Sequence, residues 1–433
     1  MDPIVVGVIG IVMLIVLLLL EVHIGITMML VGFCGYIYIM SWNGALGLLK
    51  TMIFSTCSSY TLTVIPLFVL MGQLAFYSGL SQQLFSVSNK WLSRLPGGLA
   101  VTTVAACAFF ASICGSSPAM TATMGKVALP EMRRYNYADR LATGSIAAGG
   151  NLGILIPPSV TFIIYGVMSS CSIGQLFASG VIPGVMLAIF YCLAIFLVVW
   201  RDPSAGPKGD KFTLKEKLAS LKDLIGMVVL FVVVIGGIFS GLFTAYEAAA
   251  MGCAIALIYM IVRGKFDLKT LKSALLDTTK TVGMVFLVMV GATIFGAFLA
   301  VTTIPSSFAA FVAQLTISRY LIMAMIVVIY IILGCLMDAL AMVMLTVPIF
   351  LPVVLSLGFD PVLFGVIIVL VSELGLITPP VGLNVYIMAG VAKDVSMQTI
   401  FRGVMPFWFS ILAAIILLII FPQLALWLPQ LLY

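Results

Sequence analysis

Runs of apolar residues separated by short polar breaks recur along the whole chain, from Ile4 to Leu432. The clearest runs cover about 4–20, 25–40, 61–79 and 174–200. Each is close to the roughly 17 to 25 residues that a helix needs to cross the hydrocarbon core of a bilayer. The pattern predicts an all-α integral membrane protein that contacts lipid over most of its length, with no soluble domain of useful size.

Composition strengthens the membrane assignment and limits the chemistry. Hydrophobic residues make up 63% of the 433 residues and charged residues only 8%, against roughly 25% charged residues in soluble domains. A single histidine, His23, and eight cysteines without a CxxC pair cannot build the usual zinc or hydrolytic centres. We therefore predict no catalytic residues and no enzyme. The nucleotide-binding pattern GxxxxGK[ST] does not occur, and neither an organic cofactor nor a nucleic-acid partner is expected.

Two pairs of adjacent prolines interrupt apolar runs. The stretch NLGILIPPS covers 151–159, and ELGLITPPVG covers 373–382. Because proline lacks an N–H group and clashes with the preceding turn, the chain is predicted to break its helices at Pro157, Pro158, Pro379 and Pro380. A broken helix is tolerated in a bilayer only where it is buried in protein or lines a watery cavity. A simple packing kink is the alternative interpretation of each pair.

A shift of 222 positions aligns the two halves of the chain. It places Ser116 on Asp338 and Asn151 on Glu373, and it superimposes the two proline pairs. Several matches at one constant offset are typical of an internal repeat. We predict repeat one at 1–200, a polar cytoplasmic linker at 201–224 and repeat two at 225–433.

The distribution of basic residues predicts that the two repeats lie in opposite orientations. The segment 131–140 carries three arginines, whereas its counterpart 353–362 has no basic residue. Conversely, 263–280 carries five basic residues, and its counterpart has only Lys50. If basic segments face the cytoplasm, the repeats are inverted and both termini are periplasmic. Eighteen of the 21 lysines and arginines are then cytoplasmic.

This topology requires a re-entrant hairpin in each repeat. In repeat one, the segment at about 97–132 begins and ends beside cytoplasmic basic residues, so it must enter and leave the membrane on the same side, and repeat two has the inverted equivalent. The predicted hairpins cover about 97–132 and 320–354, and the predicted broken helices about 140–169 and 361–392. Inverted repeats with paired broken helices are typical of secondary transporters, which bind their ligands at the breaks.

Asp338 lies at the predicted tip of the second hairpin, where an unpaired charge inside the bilayer is costly. No basic residue is near it in sequence, so the carboxylate is predicted to lie at a cation site. Ser116, Ser117, Asn151 and Thr378 offer further oxygen ligands at the first tip and at the breaks. Such ligands suit a hard cation such as sodium, although the pattern does not separate sodium from a proton.

Other charged residues have more ordinary interpretations. Glu373 aligns with Asn151 and is either part of the site or hydrogen-bonded between helices. Lys126 either extends its amine to the cytoplasmic surface or binds an anionic substrate, and the first interpretation is favoured. Thr244 and Glu247 have the spacing of a capping box at a helix start.

Five segments resemble the large membrane subunit of tripartite ATP-independent periplasmic (TRAP) transporters: GSSPAMTATMGKVALPEM, GGNLGILIPPSVTFIIYG, GCLMDALAMVMLTVPIFLPV, LGFDPVLFGV and ELGLITPPVGLNVY. The resemblance implies an elevator-type transport domain that moves against a scaffold and couples import of a small organic anion to sodium. It also implies a bacterial inner-membrane location. The implied partners are a small membrane subunit on a separate chain and a periplasmic substrate-binding protein.

The resemblance also implies which residues bind the ligands. Candidate sodium ligands are Ser116, Ser117, Asn151 and Gly153 in the first half and Asp338, Gly375 and Thr378 in the second; candidate substrate ligands are Ser159, Thr161 and Asn384. The anion stays open among dicarboxylates, 2-oxo acids, sialic acids and sulfonates. A self-sufficient sodium/carboxylate symporter of similar architecture is the alternative.

Overall fold

The computed structural model describes residues 2–314, 317–335 and 337–433. Within these residues the chain is helical, as the apolar pattern predicted. Seven of the described helices are long and apolar enough to cross a membrane, or eight if the bent pair Asp139–Leu155 and Val160–Ser169 counts as one span. The all-α membrane fold therefore agrees with the sequence.

The first 201 residues contain hairpin one and the first broken helix. Their helices are α1 (Pro3–Leu19), α2 (Ile24–Ile39), α3 (Trp42–Cys57), α4 (Val64–Tyr77), α5 (Leu80–Leu92), α6 (Gly98–Cys114), α7 (Ser117–Arg134), α8 (Asp139–Leu155), α9 (Val160–Ser169) and α10 (Ile173–Arg201). Helices α6 and α7 form hairpin one, and α8 and α9 are the two parts of the first broken helix.

The remaining chain contains hairpin two and the second broken helix. Its described helices are α11 (Leu214–Ser220), α12 (Ile225–Phe231), α13 (Gly237–Phe239), α14 (Ala245–Val262), α15 (Leu268–Thr302), α16 (Ile304–Ala313), α17 (Arg319–Gly334), α18 (Ala339–Ser356), α19 (Pro361–Gly375), α20 (Leu383–Val391), α21 (Met397–Ile420) and α22 (Gln423–Leu432). Helices α17 and α18 form hairpin two, and α19 and α20 flank the second proline pair.

Helix starts in the two halves follow the same 222-residue shift. Helices α7 and α18 both have 18 residues and begin at Ser117 and Ala339. Helices α1 and α12 also begin 222 positions apart, as do α8 and α19. The starts of α2 and α14, α6 and α17, α9 and α20, and α10 and α21 agree with that shift to within two residues.

One long helix departs from this correspondence. The 35-residue α15 occupies the positions that α3 and α4 share in the first half. Ser58 and Ser59 separate α3 from α4. At the equivalent positions α15 has Lys280 and Thr281, and Thr281 Oγ1 donates back to the Asp277 carbonyl at 3.0 Å. The sequence analysis predicted neither α3 nor the helical conformation of residues 268–280 in the basic segment.

Side-chain caps begin many of these helices. Asp360 Oδ1 accepts from the backbone N of Val362 at 2.7 Å at the start of α19. The capping box before α14 is present, because Glu247 Oε2 accepts from Thr244 N at 2.8 Å and Thr244 Oγ1 accepts from Glu247 N at 3.5 Å. These bonds satisfy N–H groups that a helix start leaves unpaired.

Glycines allow close contacts between helices at the centre of the molecule. A Cβ atom at Gly291 of α15 would overlap the carbonyl oxygen of Gly25 on α2, and one at Gly144 of α8 would overlap that of Gly403 on α21. Lipid tails are as apolar as leucine, so membrane helices associate through close packing, which small residues permit. These glycines therefore set the distances between the helices that surround the site.

We predict that Gly291→Ala lowers the free energy of unfolding in detergent by about 1–3 kcal/mol, because the new methyl group overpacks the contact with α2. Thermal unfolding followed by fluorescence measures the effect. Gly283→Ala and Gly296→Ala are matched controls on the same helix, since no atom lies within 4 Å of a Cβ at either position. Alanine also favours helix over glycine there. Equal destabilisation by all three variants would contradict the proposed contact.

Candidate functional site

A cavity of about 520 Å³ lies where the two hairpins and the two broken helices meet. Its wall includes the tip of hairpin one at 114–119 and the described part of the tip of hairpin two at 338–340. Ile154 and Thr161 contribute from the first break, and Leu376 from the second. The opposite wall is formed by α4 and α15. Its volume falls in the range of sites for small molecules.

The polar side chains of this cavity come from several helices. Ser116, Ser117 and Asp338 line it from the hairpin tips, Lys126 from α7 and Asp277 from α15. Asp277 Oδ2 also accepts a hydrogen bond from the Tyr77 hydroxyl at 2.7 Å. An apolar membrane cavity would not need two carboxylates and an amine, since polar and charged groups are costly within a bilayer. The arrangement favours a hydrated, ionic ligand.

The four candidate sodium ligands of the first half lie together. Ser117 Oγ and Asn151 Oδ1 are 3.3 Å apart. A Cβ at Gly153 would lie 3.2 Å from the Ser116 carbonyl oxygen, so glycine lets the hairpin tip approach α8 closely. Gly115 has a φ of 59° at the end of α6, a conformation that favours glycine. Backbone and side-chain oxygens therefore converge at this tip.

A buried amide network connects the two halves. Asn384 Nδ2 donates to Ser117 Oγ at 2.6 Å and to Asn151 Oδ1 at 2.7 Å. Asn151 Nδ2 in turn donates to the Glu373 carbonyl at 2.9 Å, and these two residues are related by the 222-residue shift. All four side chains are fully buried. The network fixes the start of α20 against the tip of hairpin one.

The second-half sodium candidates are less closely grouped. Asp338 Oδ1 caps α18 by accepting from Ala341 N at 2.7 Å, and Asp338 forms no ion pair with any described residue. Gly375 packs against Gly334 of α17. Thr378 Oγ1 donates to the Leu374 carbonyl at 2.5 Å and accepts from Trp408 Nε1 at 2.9 Å. Only Asp338 of these three lines the cavity.

The three candidate substrate ligands occupy different environments. Thr161 lines the cavity, is fully buried and has an Oγ1 without a hydrogen-bond partner in the described part of the chain. Ser159 Oγ instead donates to the Ile154 carbonyl at 2.6 Å and caps α9. Asn384 belongs to the amide network. Thr161 is thus the candidate that is free to meet a ligand in the cavity.

Glu373 is fully buried beside the amide network. Both of its carboxylate oxygens lack a hydrogen-bond partner among residues 2–314, 317–335 and 337–433. Only its backbone carbonyl joins the network, through Asn151. The sequence analysis offered a hydrogen bond between helices as one role for the Glu373 side chain, and the described residues do not contain that bond. A carboxylate that is buried without a hydrogen-bond partner or an opposite charge lowers the stability of the fold.

The two proline pairs differ in exposure. Helix α8 ends at Leu155 and α19 at Gly375, so both helices stop before their prolines. Pro157 and Pro158 are buried, whereas Pro379 and Pro380 are exposed. The first break is therefore enclosed by protein, and the second reaches the surface of this chain.

The sequence analysis missed two contributors to the cavity and interpreted a third differently. Asp277 and Gln73 lie on α15 and α4, far in sequence from the proline motifs. No local pattern marked them, because their place depends on how α4 and α15 pack. Lys126 had been predicted to extend to the cytoplasmic surface, and its exposed side chain lines the cavity.

The fold is that of known membrane transporters. It superimposes on the structure of the YdaH transporter from Alcanivorax borkumensis with a TM-score of 0.62 and 15% sequence identity, over 90% of each chain. It also superimposes on MtrF from Neisseria gonorrhoeae with a TM-score of 0.56 and 15% identity, over 88% of this chain and 85% of that one. At this identity the likeness concerns the fold alone.

Sequence comparison then identifies the family. The family model described as "Tripartite ATP-independent periplasmic transporter, DctM component" matches residues 11–424, so the chain belongs to the DctM family of TRAP transporters. It is 34% identical to the C4-dicarboxylate TRAP transporter large permease protein DctM of Pseudomonas aeruginosa, covering 88% of this chain and 89% of that protein. It is 33% identical to the sialic acid large permease SiaM of Vibrio cholerae, over 86% and 87% of the two chains. The resemblance drawn from the motifs is confirmed, and these relatives are permeases rather than enzymes.

A third relative is matched over only part of its length. The isethionate TRAP transporter permease protein DctMQ of Oleidesulfovibrio alaskensis is 33% identical, and the match covers 84% of this chain but 57% of that protein.

We predict that Glu373→Gln raises the free energy of unfolding by about 1–3 kcal/mol at pH 8 without sodium, because a neutral amide costs less to bury without a partner than a side chain that can ionise. Thermal unfolding in detergent measures the change. Glu131→Gln is the matched control: its side chain is partly exposed and makes only a 3.9 Å ion pair with Arg134, so little change is expected. A loss of stability in Glu373→Gln would reveal a partner for the carboxylate.

Proposed function

We propose that this chain is the large permease subunit of a TRAP transporter that imports a small organic acid anion together with sodium. The observation that carries the proposal is the polar cavity at which both hairpin tips and both helix breaks meet. Family membership supports the transport role. The arrangement of charges within the cavity supports the ionic character of the ligands.

The sodium part of the proposal rests on Asp338 and the first hairpin tip. Asp338 contributes a carboxylate to the cavity wall without an ion pair among the described residues. Ser116 and Ser117 add oxygens on the cavity wall that a hard cation prefers. Asn151 would act from behind them, because its Oδ1 accepts from Ser117 and Asn384. A bound cation would offset the cost of the carboxylate within the membrane.

The anion part of the proposal rests on Lys126 and Thr161. Lys126 is the one basic side chain in the cavity wall, as far as the structure describes it, and Thr161 offers an unpartnered hydroxyl. An ammonium group pairs with a carboxylate or sulfonate as a point charge, while a hydroxyl can donate one hydrogen bond. Together they suit a small anion in a volume of about 520 Å³.

Alternating access by an elevator movement is the proposed mechanism. Two inverted repeats, about 1–200 and 225–433, would each supply a hairpin and a broken helix to the moving domain. The repeated helix starts and the contact between the equivalent residues Asn151 and Glu373 support this arrangement. The cavity is lined by the hairpins on one side and by α4 and α15 on the other, which is where a moving domain would slide past a scaffold.

The proposed partners are a separate small membrane subunit and a periplasmic substrate-binding protein, in a bacterial inner membrane with both termini periplasmic. Relatives are named for C4-dicarboxylate, isethionate, sialic acid and 2,3-diketo-L-gulonate. We propose a substrate from this class of small organic acids, chosen largely by the binding protein.

We predict that Asp338→Asn abolishes sodium-dependent uptake of the anion, because it removes the charge that would hold the cation. Asparagine caps helices about as well as aspartate, so insertion and folding are expected to persist. The measurement is uptake into proteoliposomes that contain both membrane subunits and the binding protein, under an inward sodium gradient.

Asp360→Asn is the matched control for this experiment. Asp360 also caps a helix, through Val362 N and Leu363 N, but it lies outside the cavity wall. Uptake by this variant should keep its sodium dependence. Normal sodium dependence in Asp338→Asn would remove Asp338 from the coupling mechanism.

The alternative, a self-sufficient sodium/carboxylate symporter, differs in its need for partners. Sodium-driven uptake by proteoliposomes that contain this chain alone would favour that alternative. Uptake only after both partners are added would favour the tripartite transporter.

We predict that cysteines placed at Arg133 and Lys265 react with an impermeant maleimide from the same side of the membrane, because inversion places both basic segments in the cytoplasm. A cysteine at Lys50 should react from the opposite side. The background should carry serine at the exposed native residues Cys34 and Cys57. Labelling of positions 133 and 265 from opposite sides would contradict the inverted topology while leaving family membership intact.

A further inference from the structure

A second, distinct cavity lies on the outer surface, between the C-terminal half of α10 and the N-terminal half of α21. This outer groove has a volume of about 680 Å³. Its walls are apolar and largely exposed, and they are formed mainly by Phe190, Leu193, Leu197, Trp200, Met405 and Phe409. Nothing in the proposed import cycle accounts for it.

Close packing at the floor explains why a groove exists here. The rings of Tyr191 and Phe407 are buried edge to face, with centroids 5.3 Å apart. Ala194 and Gly403 add little side-chain volume to the lining. The larger side chains of α10 and α21 stand on both sides of these small residues and leave the groove between them.

Three arginines lie at one end of the outer groove. Arg140 comes from the start of α8, Arg201 from the end of α10 and Arg402 from the first turns of α21. All three are exposed, and their guanidinium groups form no hydrogen bond or ion pair with other described residues. Asp202 lies in the same lining, where Ser204 N and Oγ donate to its carboxylate at 3.2 and 2.5 Å, so one negative charge opposes the three positive ones. The end of the groove therefore carries a net positive charge.

The three arginines occur at only one of the two α10/α21 surfaces that the 222-residue shift relates. The 222-residue shift that relates the helices of the two halves places Val362, Gln423 and Gly180 at the positions equivalent to Arg140, Arg201 and Arg402. The pseudo-equivalent surface of α10 and α21 thus lacks all three charges. The same excess of cytoplasmic basic residues that orients the two repeats predicts this difference, and it places the three arginines at the cytoplasmic end of the groove.

A neighbouring groove extends the same surface. It has a volume of about 590 Å³, lies along α10 beside Trp200 and ends near Lys208. Trp200, which is 79% exposed, lines both grooves. The two apolar grooves share Leu193, Leu197 and Trp200, and each has basic residues in its lining. Two adjoining apolar grooves suit the two acyl chains of a phospholipid.

We propose that the outer groove binds an anionic phospholipid, with its phosphate on Arg140, Arg201 and Arg402 and an acyl chain between α10 and α21. Guanidinium groups match phosphate oxygens in paired hydrogen bonds, and basic pockets between membrane helices bind anionic headgroups. Charge complementarity favours this occupant over a helix of another protein, whose apolar surface would leave three arginines without partners. The proposal does not depend on the transported anion or the coupling ion.

The test is native mass spectrometry of the delipidated, full-length chain titrated with dioleoyl phosphatidylglycerol or dioleoyl phosphatidylcholine. The wild-type chain should bind phosphatidylglycerol more tightly than phosphatidylcholine. The triple variant R140Q/R201Q/R402Q should lose about a hundredfold in affinity for phosphatidylglycerol and should no longer distinguish the two lipids. R402Q alone should lose about tenfold if the triple variant does not fold.

Matched variants separate this site from general charge effects. K215Q/K222Q/K269Q removes three exposed charges that line neither groove and should leave the preference for phosphatidylglycerol unchanged. Ala413→Trp fills the exposed wall of the groove with all three arginines retained, and should weaken binding of the lipid but not of glycerol phosphate.

Three results would overturn the proposal. The first is equal affinity of the wild-type chain for the two lipids, or an equal loss in the arginine and lysine variants. The second is displacement of the lipid by glycerol phosphate at equal concentration, which would identify a free phosphate site. The third is cross-linking of Ala413→Cys to the small membrane subunit in native membranes, which would show that a protein covers the groove.

Discussion

Every interruption of a helix inside a membrane must find hydrogen-bond partners for the peptide groups that it frees, and the rest of this structure follows from that constraint. At the first break Ser159 Oγ donates to the Ile154 carbonyl. At the second, Thr378 Oγ1 donates to the Leu374 carbonyl, and the backbone N of Asn384 donates to the Leu376 carbonyl. The Asn151 side chain, one turn before the first break, then donates to the Glu373 carbonyl of α19. The two broken helices therefore satisfy part of each other's hydrogen-bonding needs and are held together.

Bringing the breaks together also creates the cavity. The hairpin tips insert beside the breaks, so oxygens of Ser116, Ser117 and Asp338 line a space that α4 and α15 close from the other side. Because these helices belong to different parts of the fold, a relative movement between them would change the shape of the cavity without breaking the amide network. That is the property that alternating access requires. The buried Glu373 adds a carboxyl group beside the network, and neither of its oxygens has a hydrogen-bond partner within the described chain.

The outer surface differs from this symmetric centre. The helix starts of the two halves agree closely, yet Arg140, Arg201 and Arg402 have uncharged equivalents. The central site uses residues from both halves, whereas the outer groove uses a charge cluster that only one side of the fold possesses. A repeated architecture can therefore support one shared function at its centre and a different one at its surface, since substitutions at the surface do not disturb the packing of the core.

The sequence by itself determined the membrane class, the family and the positions of the helix interruptions. These features follow from local properties: apolar length, the missing N–H groups of the four prolines and the distinctive motifs around them. It also marked the first hairpin tip and Asn151 as neighbours of a break. Their roles as ligands stay predictions.

Only the tertiary structure decided which polar side chains meet. Asn384 joins Asn151 and Ser117 across more than two hundred residues, and Thr378 pairs with Trp408, so both are committed to the fold rather than to the cavity wall. Asp277 and Lys126 reach that wall from helices without a recognisable motif. The physical reason is that hydrogen-bond partners and charge clusters depend on how whole helices pack, and contacts such as Gly291 on Gly25 fix that packing far from the residues they bring together.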